Sequence, residues 1–290
     1  MDQATLLWTL ASTFFAGLAL FFQKIVAEEG RSAAFFSMLS YAVSAVLSVI
    51  ILFSLREAPT AWKMIAFFGI AAGIGHGLSN YVRIESLKYI DSVLYFPLHK
   101  LIGPLLVVVG GVLLFHDALK LTQYVGIALS LTVPLLLVTS VEHHRQKNLS
   151  LGLKLLIVSG VLSAVSLLLS KQGVTYESAV ILFLVISQIA GSFTSGAILV
   201  KQRGFEYSSF LGADQRDIYL SVLSGVFSFL SSLSLFIALS TGLVSLVYVI
   251  QAHYILIPIV LSVWWYRDHI NVRKFIAVMV SFFAITLLAV

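Results

Sequence analysis

Polar residues interrupt this chain rarely and at nearly regular intervals. Between the interruptions lie ten apolar runs, near residues 4–23, 32–55, 64–82, 92–115, 121–140, 151–170, 178–200, 217–239, 243–266 and 273–290. Each approaches the about 17 to 25 residues that a helix needs to cross a bilayer. The runs are continuous rather than alternating, so they read as helices and not as strands of a barrel. From Ile218 to Tyr266 there is no Asp, Glu, Lys or Arg, and 49 residues are too many for one crossing. Ser240-Thr241-Gly242 is therefore expected as a tight turn between two helices. The first run reads as a span rather than a removable signal, because Met1-Asp2-Gln3 ahead of it carries no Lys or Arg.

Two stretches, Leu101–Thr139 and Ala252–Val290, are relaxed copies of each other at an offset of 151 residues. His116-Asp117-Ala118-Leu119-Lys120 answers to Arg267-Asp268-His269-Ile270-Asn271, and Leu105/Leu256, Val109/Val260, Asp117/Asp268 and Ser130/Ser281 are identities. The polar linker Val141–Ser150 (Glu142, His143, His144, Arg145, Lys147) divides the spans five and five, which sets the expected repeats at 1–145 and 146–290. An odd number of spans per half inserts the second copy inverted. The expected fold class is thus all-α: a polytopic membrane protein of ten transmembrane helices in two inverted five-helix repeats, a construction typical of transporters.

Composition agrees. The chain is 59% hydrophobic, only 11% charged, and has a mean hydropathy of +1.01, so lipid must be the solvent for most of its surface. It has no Cys, which excludes a disulfide framework and thiolate chemistry. The formal charge of +5 comes from residues scattered through loops, a distribution that suits water and headgroups rather than nucleic acid.

Ten helices as five plus five, Pro104 inside helix 4, Asp117 thirteen positions later where that helix ends, and a matching Asp268 at the end of helix 9 resemble the EamA-type carriers of the drug/metabolite transporter superfamily. The family commonly shows Gly-Glu at those helix ends, where this chain has His116-Asp117 and Arg267-Asp268, and the helix 9 proline is displaced to Pro258. The resemblance covers essentially the whole chain. It implies a secondary transporter in a bacterial or archaeal cytoplasmic membrane, working by alternating access and exporting an amino acid or another small anionic or zwitterionic metabolite. More distant relatives carry sugar phosphates and nucleotide sugars, so an exchanger of that type is the alternative.

Several polar residues fall inside the runs. Lys100 lies about eight residues into helix 4, or about 12 Å of rise, where an uncompensated ammonium costs several kcal/mol. Either it binds a carboxylate or phosphate of the solute, or it snorkels to an interface or pairs with Glu85 or Asp91. His99 precedes it, Tyr95 lies one turn back, and Pro97 and Pro104 flank the pair, so helix 4 is expected to be distorted there. On helix 3, His76, Asn80 and Arg83 share one face and line either a binding site or a helix contact. Gly69, Gly73 and Gly77 on the same helix read as a packing seam. Helix 9 offers Tyr248, Gln251, His253 and Tyr254, and Gln251 is the counterpart of Lys100 in the repeat. Ser163, Ser166, Ser228, Ser231 and Ser232 are second-rank candidates.

No span carries a carboxylate near its centre, which leaves His76, His99, His253 and Lys100 as the groups able to change charge there. No Walker, HExxH or Gly-x-Ser-x-Gly motif occurs, so no catalytic residues are assigned and an enzyme is not expected. A membrane enzyme using the His/Lys/Tyr cluster as acid and base is the rival class. His143-His144 lacks a third ligand and reads as a solvated pair, so neither metal nor cofactor is expected. The expected partners are a small-molecule solute and the lipid bilayer, with a homodimer left open. An even span count puts both termini on one side. Loops on that side carry four Lys/Arg and those opposite carry thirteen, which points to termini outside, whereas the resemblance implies termini inside.

Overall fold

The computed structural model describes residues 1–55, 61–90, 92–137, 148–176, 179–203, 214–258, 260–261 and 272–290. Among them no strand occurs and 90% of the structure is helical. The helices are α1 (Gln3–Glu28), α2 (Ala33–Leu55), α3 (Trp62–Ser86), α4 (Ser92–Leu114), α5 (Leu121–Leu137), α6 (Leu149–Val174), α7 (Ala179–Arg203), α8 (Gln215–Thr241), α9 (Val244–Gln251) and α10 (Val272–Ala289). They follow the apolar runs. Seven are long and apolar enough to cross a membrane, and Leu121–Leu137, Val244–Pro258 and Phe275–Ala289 are shorter apolar helices. The turn at Ser240-Thr241-Gly242 is present, since α8 ends at Thr241 and α9 starts at Val244. The linker histidines His143 and His144, the boundary between the expected repeats, and Asp91 and Asp268 lie outside the described residues.

The distribution of side chains is that of a protein solvated by lipid. Phe53, Leu121 and Phe193 are 81, 80 and 75% exposed, while Ser12, Ser37, Ser44, Ser159 and Ser224 are fully buried. A water-soluble fold does the opposite with its large apolar side chains. Inside, hydroxyls are satisfied locally. Ser48, Ser130, Ser166, Ser170 and Ser281 each donate to the carbonyl one turn back, at 2.7 to 2.9 Å, which lets a polar residue sit in a helix contact without an unpaired donor.

Small residues set the helix spacing. On α3 a β-carbon at Gly73 would lie 2.3 Å from the Ser187 carbonyl oxygen, and one at Gly77 2.9 Å from that of Gly191, so the glycine seam is where α3 meets α7. α3 also packs on α6, α1 on α8 and α9, α2 on α7 and α8, α4 on α6 and α9, and α5 on α10. Shifting every helix number by five turns this set of pairs into itself. The α3–α6 contact becomes α8–α1, α3–α7 becomes α8–α2, and α2–α7, α4–α9 and α5–α10 are their own images.

The expected distortion falls in a different helix. α4 continues across Pro97 and Pro104, whereas the ninth helix tightens after Gln251 into a 3₁₀ turn, Ala252–Ile255. Pro258 lacks the N–H that would bond the carbonyl four residues earlier, and the shorter i→i+3 pattern takes up the slack ahead of it.

Both ends of the bundle are tied by polar contacts between helices. At one end Lys171 donates to the carbonyls of Leu239 (2.6 Å) and Gly242 (2.9 Å), closing α8, and the Asp117 carboxylate accepts from Ser245 N (2.9 Å) at the start of α9. Met1 and Ala289 meet at the same end, at 3.1 Å. At the other end Arg31 pairs with Asp217 (2.6 Å), and both Arg31 and Arg216 pair with Glu29. These partners raise the Arg31 guanidinium above its ordinary range.

Gly73→Ala should lower stability by about 1–3 kcal/mol, because the atom it meets is backbone and only separation of α3 from α7 can admit a methyl group. A thermal denaturation midpoint in detergent equal to that of the unsubstituted protein would contradict this account of the seam.

Candidate functional site

The polar face of α3 turns into the bundle, away from lipid. His76, Asn80 and Arg83 line one cavity of about 150 Å³ between α1, α2, α3, α7 and α8, with Tyr254 of the 3₁₀ turn also in its wall. At roughly 10–15 Å³ for each water, this space holds about ten waters or one small metabolite. The cavity occupies the Arg31–Asp217 half of the bundle: it reaches Gln23 on α1 and Ser224 on α8, near the ends that carry that ion cluster.

Arg83 is the only charged side chain in the wall among the described residues. Its guanidinium is ionised at any accessible pH and cannot be neutralised by proton loss. One nitrogen donates to the Gln23 side-chain carbonyl at 3.2 Å, while the buried Nε has no hydrogen-bond partner among the described residues. Two further lining residues hold unsatisfied atoms, the Gln188 side-chain oxygen on α7 and the Ser224 hydroxyl on α8. Buried polar atoms are almost always paired. Three exceptions on three helices around one hollow are the mark of a site that receives polar groups from outside.

Several other wall residues are internally satisfied. Asn80 donates to Ser37 (2.7 Å) and Ser79 to the Ser159 carbonyl (2.8 Å). His76 Nε2 lies 3.4 Å from the Ser170 hydroxyl, which itself donates to Ser166, so the imidazole is the donor. Ser231 donates to the Ser12 carbonyl at 3.1 Å. These hydroxyl oxygens keep lone pairs free, so much of the wall can accept but not donate.

The other sequence candidates stand behind this wall. Gln251 donates to the Ser12 hydroxyl at 3.0 Å, one hydrogen bond away from Ser231. The Tyr95 hydroxyl meets Ser159 at 2.6 Å, and its ring stacks on His99 with centroids 5.4 Å apart. Tyr248 reaches Ser163 at 3.4 Å. Lys100 is 3% exposed and neither snorkels nor pairs with Glu85, which holds Lys88 at 2.5 Å instead. Its ammonium lies 3.8 Å from the centre of the Tyr254 ring and 5.5 Å from that of Tyr248. With His253 it borders a second, much smaller hollow. Lys100 and its repeat counterpart Gln251 turn different ways, the amine to the Tyr248 and Tyr254 rings and the amide to Ser12 of α1.

Sequence reading passed over Gln23, Tyr41, Gln188 and Ser224, all of which line the cavity. Ser224 continues a helical stripe with Ser221, Ser228 and Ser231 on α8 that could have marked it.

No curated protein matches this sequence. Among solved structures, one crystal structure superposes with a TM-score of 0.73 over 99% of this chain and 96% of the other, at 14% identity, a likeness of fold. Residues 3–139, which hold α1 to α5, match the model of the EamA-like transporter family, a match consistent with a member of the drug/metabolite transporter superfamily.

Proposed function

We propose that the protein is a secondary carrier for a small anionic or zwitterionic metabolite such as an amino acid, moved by alternating access between two inverted five-helix repeats, 1–145 and 146–290, with export as its direction in a bacterial or archaeal cytoplasmic membrane. The observation that carries the reading is the cavity around Arg83: one permanent cation, no carboxylate among its described lining residues, and unsatisfied atoms on Arg83, Gln188 and Ser224. Such a site attracts a carboxylate to the guanidinium by charge-assisted, bidentate hydrogen bonding. Wall oxygens on α7 and α8 then accept from an ammonium or hydroxyl elsewhere on the solute. The self-mapping pairs of helices support two equivalent halves, because a carrier that rocks between two states needs contacts that exchange with each other. The α1–α8 contact with its ion cluster, and its image α3–α6, are the pairs that would open in turn.

His76, Asn80 and Arg83 take the role of solute contacts in this reading. Tyr95, His99, Lys100, Tyr248, Gln251 and His253 form the layer that positions the wall.

A thermal-shift screen of the purified protein against small metabolites should find carboxylates that raise its apparent stability, because a ligand of the folded state stabilises it by mass action. Arg83→Gln should weaken the best of them by roughly 10- to 100-fold, the scale of a lost hydrogen bond to a charged group, and abolish counterflow in proteoliposomes. Undiminished counterflow by Arg83→Gln would remove the guanidinium from the site, and chemical turnover of the compound without movement across the bilayer would favour an enzyme.

Reporters fused in turn to the N-terminus and the C-terminus, each active on one side of the membrane only, should give the same answer. Opposite answers would rule out an even number of crossings.

A further inference from the structure

A second hollow of about 10 Å³ lies between α4, α5 and the ninth helix, bounded by Lys100, Ser130 and His253 and by apolar residues that include Pro104 and Pro134. Its size is that of a single water. Its polar groups form an unusual set. Pro104 and Pro134 have no N–H, so the carbonyls of Lys100 and Ser130, four residues earlier in each helix, have no helical donor. His253 Nδ1 lies 3.0 and 3.1 Å from the carbonyls of Val249 and Ile250. Carbonyls only accept, so Nδ1 carries the proton and the buried, unpartnered Nε2 presents a lone pair. Ser130 spends its hydroxyl proton on Gly126. Among the described lining residues, Ser130 and His253 thus offer acceptors to the hollow, and Lys100 carries the side-chain donor left uncommitted.

We propose that Lys100 and His253, joined through one water in this hollow, form a proton-binding site of the carrier. Lys100 donates to the water and the water donates to His253 Nε2. When a proton leaves the ammonium for the water, the water passes its own to Nε2, so an amine and an imidazolium replace an ammonium and an imidazole. The pair therefore holds one proton, with charge +1, or none. The groups facing Lys100 from neighbouring elements are the rings of Tyr248 and Tyr254 on the ninth helix and its 3₁₀ turn, His99 on its own helix, and Arg83 of α3, which acts through space. None of the described carboxylates pairs with it. Tyr254 carries the state of this site to the solute cavity: the ammonium sits on its ring, and the same residue lines the wall beside Arg83. Protonation holds the ring by cation–π attraction, and proton loss releases it. The coupling role rests on the carrier reading, whereas the proton site stands by itself.

The proton itself is the probe. In protein labelled with ¹⁵N-histidine and held in lipid nanodiscs, the His253 signals are those lost in His253→Gln. Nδ1 is expected to be the protonated nitrogen, and the Nε2 signal to change with pH in one step. Lys100→Met should displace that step by more than about one pH unit, and Lys100→Arg, which keeps the charge without releasing a proton, should do the same. Retention of the Nδ1 signal shows that each variant is folded around His253. An Nε2–H tautomer in the unsubstituted protein, or an unchanged step in both variants, overturns the site. In proteoliposomes with a carboxylate identified by thermal shift, a pH gradient should accelerate counterflow by the unsubstituted protein and not by Lys100→Met. A titrating site with gradient-insensitive transport overturns the coupling alone. Absence of any vectorial movement overturns the carrier reading, and the nanodisc titration still decides the proton site.

Discussion

Hydrocarbon offers no partner to a polar group, and that constraint organises the structure. A serine, an amide or a cation inside the bundle must be satisfied by the protein itself or by something the protein admits. Many of the buried hydroxyls solve this within one turn of their own helix, which is why a chain with so many serines can bury them beside glycines at the helix contacts. Once those are accounted for, the atoms left without partners are few, and three of them surround the same cavity. That cavity stands out less by what it contains than by what the packing leaves undone there.

Two cations lie deep in the bundle, and they are handled in opposite ways. Arg83 reaches the larger cavity with an amide on one side and its Nε unpaired. A guanidinium cannot lose its charge, so it must be hydrated or bound by an anion, and it suits permanent recognition of a carboxylate. Lys100 sits against two aromatic faces and beside a hollow with room for a single water. An ammonium can shed its proton, and aromatic faces favour the charged form without pairing it permanently. A fixed charge in the roomy cavity and a removable one in the tight hollow, with Tyr254 between them, is an arrangement in which binding of a solute and of a proton can influence each other.

Much of this was legible in the residues. The apolar runs marked the helices to within a few positions, because a continuous run of this length in a chain so poor in charge has no other stable form. The stripe of His76, Asn80 and Arg83 was legible because helical spacing puts residues four and three apart on one face, and the Gly69–Gly73–Gly77 seam was legible for the same reason. The cost of Lys100 was legible from its depth alone. Its surroundings were not: Tyr248 and Tyr254 lie about 150 positions away, and a ring face offers no charge or hydrogen-bond pattern by which to foresee the contact. The proline-rich segment of helix 4 also misled, since α4 runs on through both prolines and the tightening appears before Pro258 instead.

By itself the sequence determined that this chain is a bundle of apolar helices, because periodicity and hydropathy are properties of one segment read letter by letter. Which polar residues meet was decided only by the tertiary structure. Arg83 with Gln23, Gln188 and Ser224 around one cavity, and Lys100 with His253 around another, come from different helices whose rotation about their own axes is set by the packing of glycines and bulky side chains against neighbours. A helix's own sequence says which of its faces is polar. Only its neighbours say what that face will touch.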